Sequence, residues 1–472
     1  MQPVLTPAEM AEADRRTIAA GTPVTTLMDR AGRAVAWEVR RRLDGVYGRR
    51  ATVVCGKGNN GGDGLITAGV LTGWGVRVDV IELAAAPTAA AVQAAVGRAD
   101  VLVDAMYGTG FTGRLEGVAA DVAAASAERL TVAVDIPSGV DGRTGATDGP
   151  AVQAAATVTF AARKPGVLFE PGRSHAGTVH VVDIGIDVGA PALELVDATD
   201  ARAALTASAR PEDTNKWQAA LLVIGGSGGM TGAPRFVSQA GMRAGAGIVW
   251  CGVPAPATGD GSEVITKVLP ATDDGTLAGL GDLLASVERF RAVAVGPGLG
   301  TADATRAAVH EVVAQAPVPL VLDADGLNAF ADRADALRER PAPTVLTPHD
   351  GEYARLVGEA VGVDRVDAAR RLAARSGCVT LLKGPATVVA DPSGRAVINP
   401  TGGSELATAG SGDVLTGIIG GFLARGLSAF EAAAVGAFVH GRAGDAAGHT
   451  GLVAGDLIAA LPRTLDDLSQ EH

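Results

Sequence analysis

The feature that most constrains this chain is a repeated alternation. Short apolar runs of strand length end in glycine- or aspartate-rich loops, and stretches of helical pattern follow them. In the first half, Arg50 to Cys55 precedes GKGNNGGDG and a helical stretch from Leu65. Val76 to Ile81 is a further strand, Val101 to Asp104 leads into AMYGTGFTG, and Thr131 to Asp135 leads into IPSGVDG. In the second half, Ala219 to Ile224 precedes GGSGGMTGA, and Ile248 to Cys251 follows the next helix. Ala292 to Val295, Leu320 to Leu322 and Thr344 to Leu346 end in GPGLG, DADGLN and TPHDGE. Val379 to Leu382 runs into Lys383-Gly384 and a hairpin through Val388, Gly394 and Val397. Such alternation predicts mainly parallel sheets covered by helices on both faces. At 472 residues the chain exceeds one ordinary core, so two three-layer α/β domains are expected. The alanine-rich, then polar stretch from Asp197 to Trp217 is the predicted linker, which places the domains at 1–208 and 209–472.

Charge and cysteine usage narrow the function. A net charge of −12 with no long basic run argues against nucleic acid or an anionic membrane as partner. Cys55, Cys251 and Cys378 are far apart and in no metal-binding spacing, as expected of buried thiols in a reducing compartment. With no leader pattern and no apolar run of spanning length, a soluble cytoplasmic protein is expected.

The chemistry concentrates in Asn399 to Gly420, NPTGGSELATAGSGDVLTGIIG. A glycine-rich turn feeding an apolar helix leaves backbone N–H groups pointing one way, at the positive end of the helix dipole. Gly410 to Gly412 are read as donors to a transferred phosphoryl group. Asp413 beside them repels an anion unless it has chemistry to perform, such as taking a proton from an attacking hydroxyl. Taken alone, it is equally an ordinary first-turn aspartate. In the first half, Asn60, Asp104, Asp135 and Ser138 all lie at carboxyl ends of strands, where open α/β sheets bind ligands. Oxygens from Asn60, Asp104 and Ser138 suit a hard cation; singly, each carboxylate reads as a loop cap. His349, between Pro348 and Glu352, is a candidate binding residue, whereas the other six histidines lack a comparable setting.

GKGNNGGDG, DAMYGTGFTG, DIPSGVDG and ARKPG (Arg163 to Gly166) resemble the NAD(P)H-hydrate epimerase domain, a Rossmann-like fold with a potassium ion beside its ligand. The resemblance implies ligand contacts from Asn59, Asn60, Gly61, Gly62, Asp63, Gly108, Thr109, Gly110, Phe111, Thr112, Gly113 and Asp135. It implies potassium contacts from Asn60, Asp104 and Ser138, and makes Asp135 and Lys164 the candidate proton-moving pair. GGSGGMTGA, GPGLG, DADGLN, LTPHDGE, KGPATVV and ATAGSGD, in this order, resemble the ADP-dependent NAD(P)H-hydrate dehydratases of the ribokinase-like superfamily. That likeness implies hydrate contacts from Ala233, Gly298, His349 and Asp413. It implies nucleotide contacts from Lys383, Gly384, Pro385, Ala386, Thr387 and Gly412. Asn215-Lys216-Trp217 departs from the family's usual His-Lys-Gly.

Together the two likenesses imply a fused epimerase and dehydratase acting on the hydrates of NADH and NADPH. ADP would be phosphoryl donor, magnesium and potassium the ions, and a homo-oligomer the assembly. Two other readings compete. The second half could be an ordinary ribokinase-like kinase of a small alcohol, and the first half a nucleotide-binding module without chemistry.

Overall fold

Strand Arg50–Cys55 shows why the first sheet forms. Ala51, Val53 and Cys55 point into one apolar cluster, shared with helices Pro7–Ala19 and Val24–Leu43. Val54 points into another, with Leu102, Val122 and Val92. A strand buried on both faces reads as a continuous apolar run, which is how the sequence reads. In this computed structural model, which describes residues 1–254 and 263–470, the chain divides into two compact units. One is Gln2–Pro191; the other begins at Ala192.

The first unit holds a six-stranded parallel sheet. Its order is Arg77–Glu82, Arg50–Cys55, Val101–Ala105, Thr131–Val134, Ala156–Phe160, Thr178–Val182. The last two strands were not anticipated, because alanine and threonine supply much of Ala156–Phe160 and the edge strand is partly exposed. Thr6 caps the first helix: its hydroxyl accepts from Glu9 N, and the Glu9 carboxylate accepts from Thr6 N at 2.8 Å. The helix expected from Leu65 begins earlier, at Asn59. Glycine allows this. A methyl on Gly64 would stand 2.5 Å from Ala105 Cβ and 2.9 Å from Cys55 Sγ, so the first turn packs directly on the sheet.

In the second unit the strand order is Leu193–Leu195, Ala396–Ile398, Val388–Ala390, Val379–Leu382, Thr344–Leu346, Leu320–Leu322, Ala292–Val295, Ala220–Ile224, Ile248–Val253, Ile265–Val268. All neighbours run parallel except the expected hairpin, in which Val388–Ala390 is antiparallel to both its partners. Helices Gly232–Arg243, Ser411–Ala424, Ala429–Ala447 and Ala454–Gln470 share one large core. Asp303–Gln315 and Arg365–Ser376 bury apolar stripes outside it. The division at Pro191 and Ala192 departs from the expected cut at 208. The reason is pairing: Leu193 to Leu195 lies parallel to Ala396 to Ile398. The expected linker contains helix Ala198–Ala207, capped by Asp197, and Arg425 donates to Leu205 O at 3.0 Å and Ser208 O at 3.3 Å.

Candidate active sites

In the first unit, the carboxyl ends of the strands open into a cavity of about 910 Å³. Asn59, Asn60 and Asp63 line it from the first turn of helix Asn59–Gly73, and Gly108 to Thr112 from the facing loop. Gly61, Gly62 and Gly113 are not among its lining; a methyl at Gly61 would overlap the Gly56 carbonyl, so that glycine serves packing. A methyl on Gly108 would lie 3.3 Å from Asn60 Oδ1 and 3.4 Å from Asp135 Oδ2. Asn60, Gly108 and Asp135 therefore converge from three loops.

Asp135 stands at φ +68°, a left-handed conformation that costs a non-glycine residue about 1–3 kcal/mol and tends to accompany function. Among the described residues, its Oδ1 receives Lys164 Nζ at 2.6 Å and Thr159 Oγ1 at 3.2 Å, and its Oδ2 only Thr109 N at 3.4 Å. Lys164 is almost fully buried and donates also to Thr159 Oγ1 at 2.8 Å and Phe160 O at 3.0 Å.

Asp104 and Ser138 are buried and bonded to one another behind the cavity wall, and neither is among its lining. Asp104 Oδ1 accepts from Ser138 Oγ at 2.7 Å and Oδ2 from Ser138 N at 2.8 Å. Burial pushes the Asp104 carboxyl up to about 6, although these bonds and the one from Met106 N pull it back. Asn60 Nδ2 is buried without a hydrogen-bond partner among the described residues. Asp104 has no ammonium or guanidinium paired to it among the described residues, and with Ser138 and Asn60 it offers side-chain oxygens of the kind a hard cation takes.

In the second unit, helix Ser411–Ala424 starts behind Gly410 at φ +86°. Ser411 N is bonded to Thr408 O at 3.2 Å, so that amide, expected to serve a phosphoryl group, is already engaged. Lys383 approaches Gly412: a methyl there would lie 3.7 Å from Lys383 Nζ. Lys383 bonds Asp323 Oδ1 at 2.9 Å and faces Glu352 Oε2 at 3.6 Å. Asp323 Oδ2 accepts from Thr416 Oγ1 at 2.6 Å. Burial opposes the charge on Lys383, but Asp323 and Glu352 more than offset it and hold its pKa above the usual value. Burial, with the Asp323 charge nearby and Lys383 opposing, pushes Asp413 up to about 7. A carboxyl at that value suits a general base at neutral pH.

The remaining expected residues fall into smaller groups. Ala233 and Gly298 are neighbours, since a methyl on Gly298 would stand 3.3 Å from Ala233 Cβ. His349 has a structural role. Its Nδ1 caps helix Asp350–Val357, accepting from Gly351 N at 3.0 Å, while its side chain stays half exposed. Lys383 to Thr387 form the turn of the antiparallel pair. Arg365 reaches over Gly384 and donates to Lys383 O at 2.7 Å and to Asp350.

Sequence reasoning missed four participants. Asp14 lines the first cavity on a stripe with Met10 and Ile18. Asp323 and Glu352 flank Lys383; they stood in quoted motifs without a role. His440, set aside with the other histidines, is buried with Nε2 3.1 Å from Ser411 Oγ. Burial depresses its pKa to about 4, so it is neutral. The signals for Asp14 and His440 were a polar residue at i+4 spacing within an apolar helix stripe.

Fold and sites together define a class of α/β chain built on two mainly parallel sheets, with a partly buried carboxyl of raised pKa beside the glycine turn that opens a helix of the second unit. Residues 221–465 match the family model described as NAD(P)H-hydrate dehydratase. Residues 24–96 and 83–166 match that of the YjeF-related protein N-terminus. The bifunctional NAD(P)H-hydrate repair enzyme of Moorella thermoacetica is 40% identical over 99% of this chain and 97% of its own. That of Salinibacter ruber is 40% identical over 84% of this chain and 83% of its own. A ribokinase-like superfamily protein from Enterococcus faecalis superposes with a TM-score of 0.52 at 23% identity, covering 60% of this chain and 99% of that one, a likeness of fold. The chain belongs to the bifunctional NAD(P)H-hydrate repair enzyme family, which sets aside the small-alcohol kinase reading.

Proposed function

We propose that the chain repairs hydrated NADH and NADPH in two steps. The first unit interconverts the R and S epimers, and the second dehydrates the S form at the expense of ADP. The observation that supports the second step best is Asp413, pushed up to about 7 beside the Gly410 turn and Lys383. Asp413 takes the proton of the hydrate hydroxyl as its oxygen attacks the terminal phosphorus of ADP. Lys383, held by Asp323 and Glu352, offsets charge on the transferring group, and N–H groups at the helix start orient it. AMP leaves. The new C–O–phosphate bond then breaks, phosphate departs, and loss of a ring proton restores the dihydronicotinamide.

Magnesium, carried with the nucleotide, supplies charge neutralisation at the phosphates. Both Asp323 oxygens are engaged, and Glu352 Oε2 accepts from His349 N at 2.9 Å, so phosphate oxygens and water would hold the ion, in keeping with the few protein ligands magnesium takes. In the first unit, Asn60, Asp104 and Ser138 would hold potassium beside the ligand. Asn59, Asp63, Thr109, Phe111 and Thr112 then contact the hydrate, and Lys383 to Thr387 the nucleotide. The buried cysteines suit a reducing cytoplasm, and sedimentation would test a homo-oligomer.

One experiment tests the whole reading. Hydrated NADH, as a mixture of epimers, is incubated with the protein and ADP while dihydronicotinamide absorbance and free phosphate are followed. Both epimers should be cleared with one phosphate released per cofactor restored. A phosphorylated product that accumulates without absorbance gain would overturn it.

A further inference from the structure

We propose that Asp63 is the general acid of the epimerisation, Asp135 its general base through Oδ2, and Lys164 a positioning residue that moves no proton. This deepens the epimerase reading above and rests on it.

The hydrogen bonds around Lys164 decide what it can do. An ammonium has three protons, and Lys164 Nζ directs them to Asp135 Oδ1, Thr159 Oγ1 and Phe160 O, at 2.6, 2.8 and 3.0 Å. It has none to offer a substrate, and as a donor in three bonds it has no lone pair to act as base. What it does is fix Asp135, whose other oxygen, among the described residues, holds only the long bond from Thr109 N and faces the Gly108 side of the cavity.

Asp63 is the converse case. It lines the same cavity, is 7% exposed, and no hydrogen bond or ion pair holds its carboxyl among the described residues. The charged groups facing it are Asp135 from the strand end and Asp14 from helix Pro7–Ala19, with Lys164 behind Asp135 and Lys57 at the rim. Burial first, then Asp135 and Asp14, push Asp63 up to about 8. It therefore carries a proton at neutral pH, while Asp135 is ion-paired to Lys164.

The step balances without oxidant or co-reactant. At C6 of the hydrate, the hydroxyl proton passes to Asp135 as the oxygen forms a carbonyl. The C6–N1 bond breaks, and its electron pair on N1 takes the Asp63 proton. Rotation about C5–C6 turns the aldehyde over. N1 then attacks the opposite face, returning its proton to Asp63, while Asp135 returns the other to oxygen.

The test uses the full chain without ADP, following interconversion of separated epimers by chromatography. Asp63→Asn should lower kcat about a hundredfold or more with KM within about threefold of wild type. The wild-type rate should fall above the Asp63 value of about 8, and that limb should vanish in Asp63→Asn. Lys164→Met should be slower yet keep the limb. Dehydration of the S epimer with ADP, measured on each preparation, reports folding. If Asp63→Asn changes only KM, or stays within about threefold of wild-type kcat, the assignment is overturned. Loss of the limb in Lys164→Met alone would overturn it in favour of the lysine. Failure of wild type to interconvert the epimers would overturn the epimerase reading itself.

Discussion

At the scale of single residues, what mattered was whether a carboxyl had a partner. Asp413 shares its neighbourhood with Lys383 but forms no bond to it, and so remains available as a base. Asp413→Asn should reduce dehydration by about a hundred- to ten-thousandfold while ADP binding, through backbone donors, persists in calorimetry. In wild type, kcat/KM for dehydration should rise with pH through about 7, since only the ionised carboxyl accepts a proton; a flat profile there would remove the role. Asp104→Ala should abolish epimerisation by dismantling the proposed cation site and leave dehydration of the S epimer unchanged, because mutations without shared partners act independently. Equal loss of both activities at unchanged melting temperature would contradict that. Asp413, Asp135 and Asp104 were legible in the sequence because each ends a strand or opens a turn, where local pattern and position in the sheet coincide. Asp14 and His440 were not, because each sits inside a helix and only packing decides what its side chain meets.

At the scale of elements, glycine misled and alanine concealed. The run GNNGGDG reads as a loop by composition, yet it is the first turn of a helix whose missing side chains make room for Gly56, Ala105 and Cys55. The start of the second unit was concealed because three residues, Leu193 to Leu195, are too short a strand to register, and the alanine-rich helix after them lacks a strong apolar stripe. The structure gives that segment a measurable weight. Leu193, Leu195, Val196 and Ala201 are buried, and each fully buried Leu or Val contributes about 1.5–3 kcal/mol. A fragment beginning at Ala192 should therefore fold and dehydrate the S epimer. One beginning at Ala209 should melt lower by well over the roughly 2–4 °C that each 1 kcal/mol represents at this size. Equal melting temperatures by scanning fluorimetry would show that the segment is dispensable.

At the scale of the whole molecule, the alternation of strand and helix was enough to anticipate two sheets covered on both faces, since buried parallel strands leave a sequence pattern. It could not supply the distances that give the sites their acidity. Those distances have a thermodynamic corollary. Asp63, Asp104 and Asp413 are buried beyond the reach of a compensating hydrogen-bonded cation, and sit at about 8, 6 and 7 against an ordinary 3.8. Each binds its proton more tightly in the folded chain than in the unfolded one, so the stability it brings is complete below about 4 and is lost as pH rises through those folded values. His440 acts in the opposite sense, losing stability as pH falls from 6.5 towards about 4. The ligand-free protein should thus melt at a higher temperature near pH 6.5 than near pH 8.5, and a melting temperature that climbs across that interval would contradict the burial of these acids. The conditions that best ionise the dehydratase base are those under which the fold is least durable: reactivity and endurance draw on the same protons, in opposite directions.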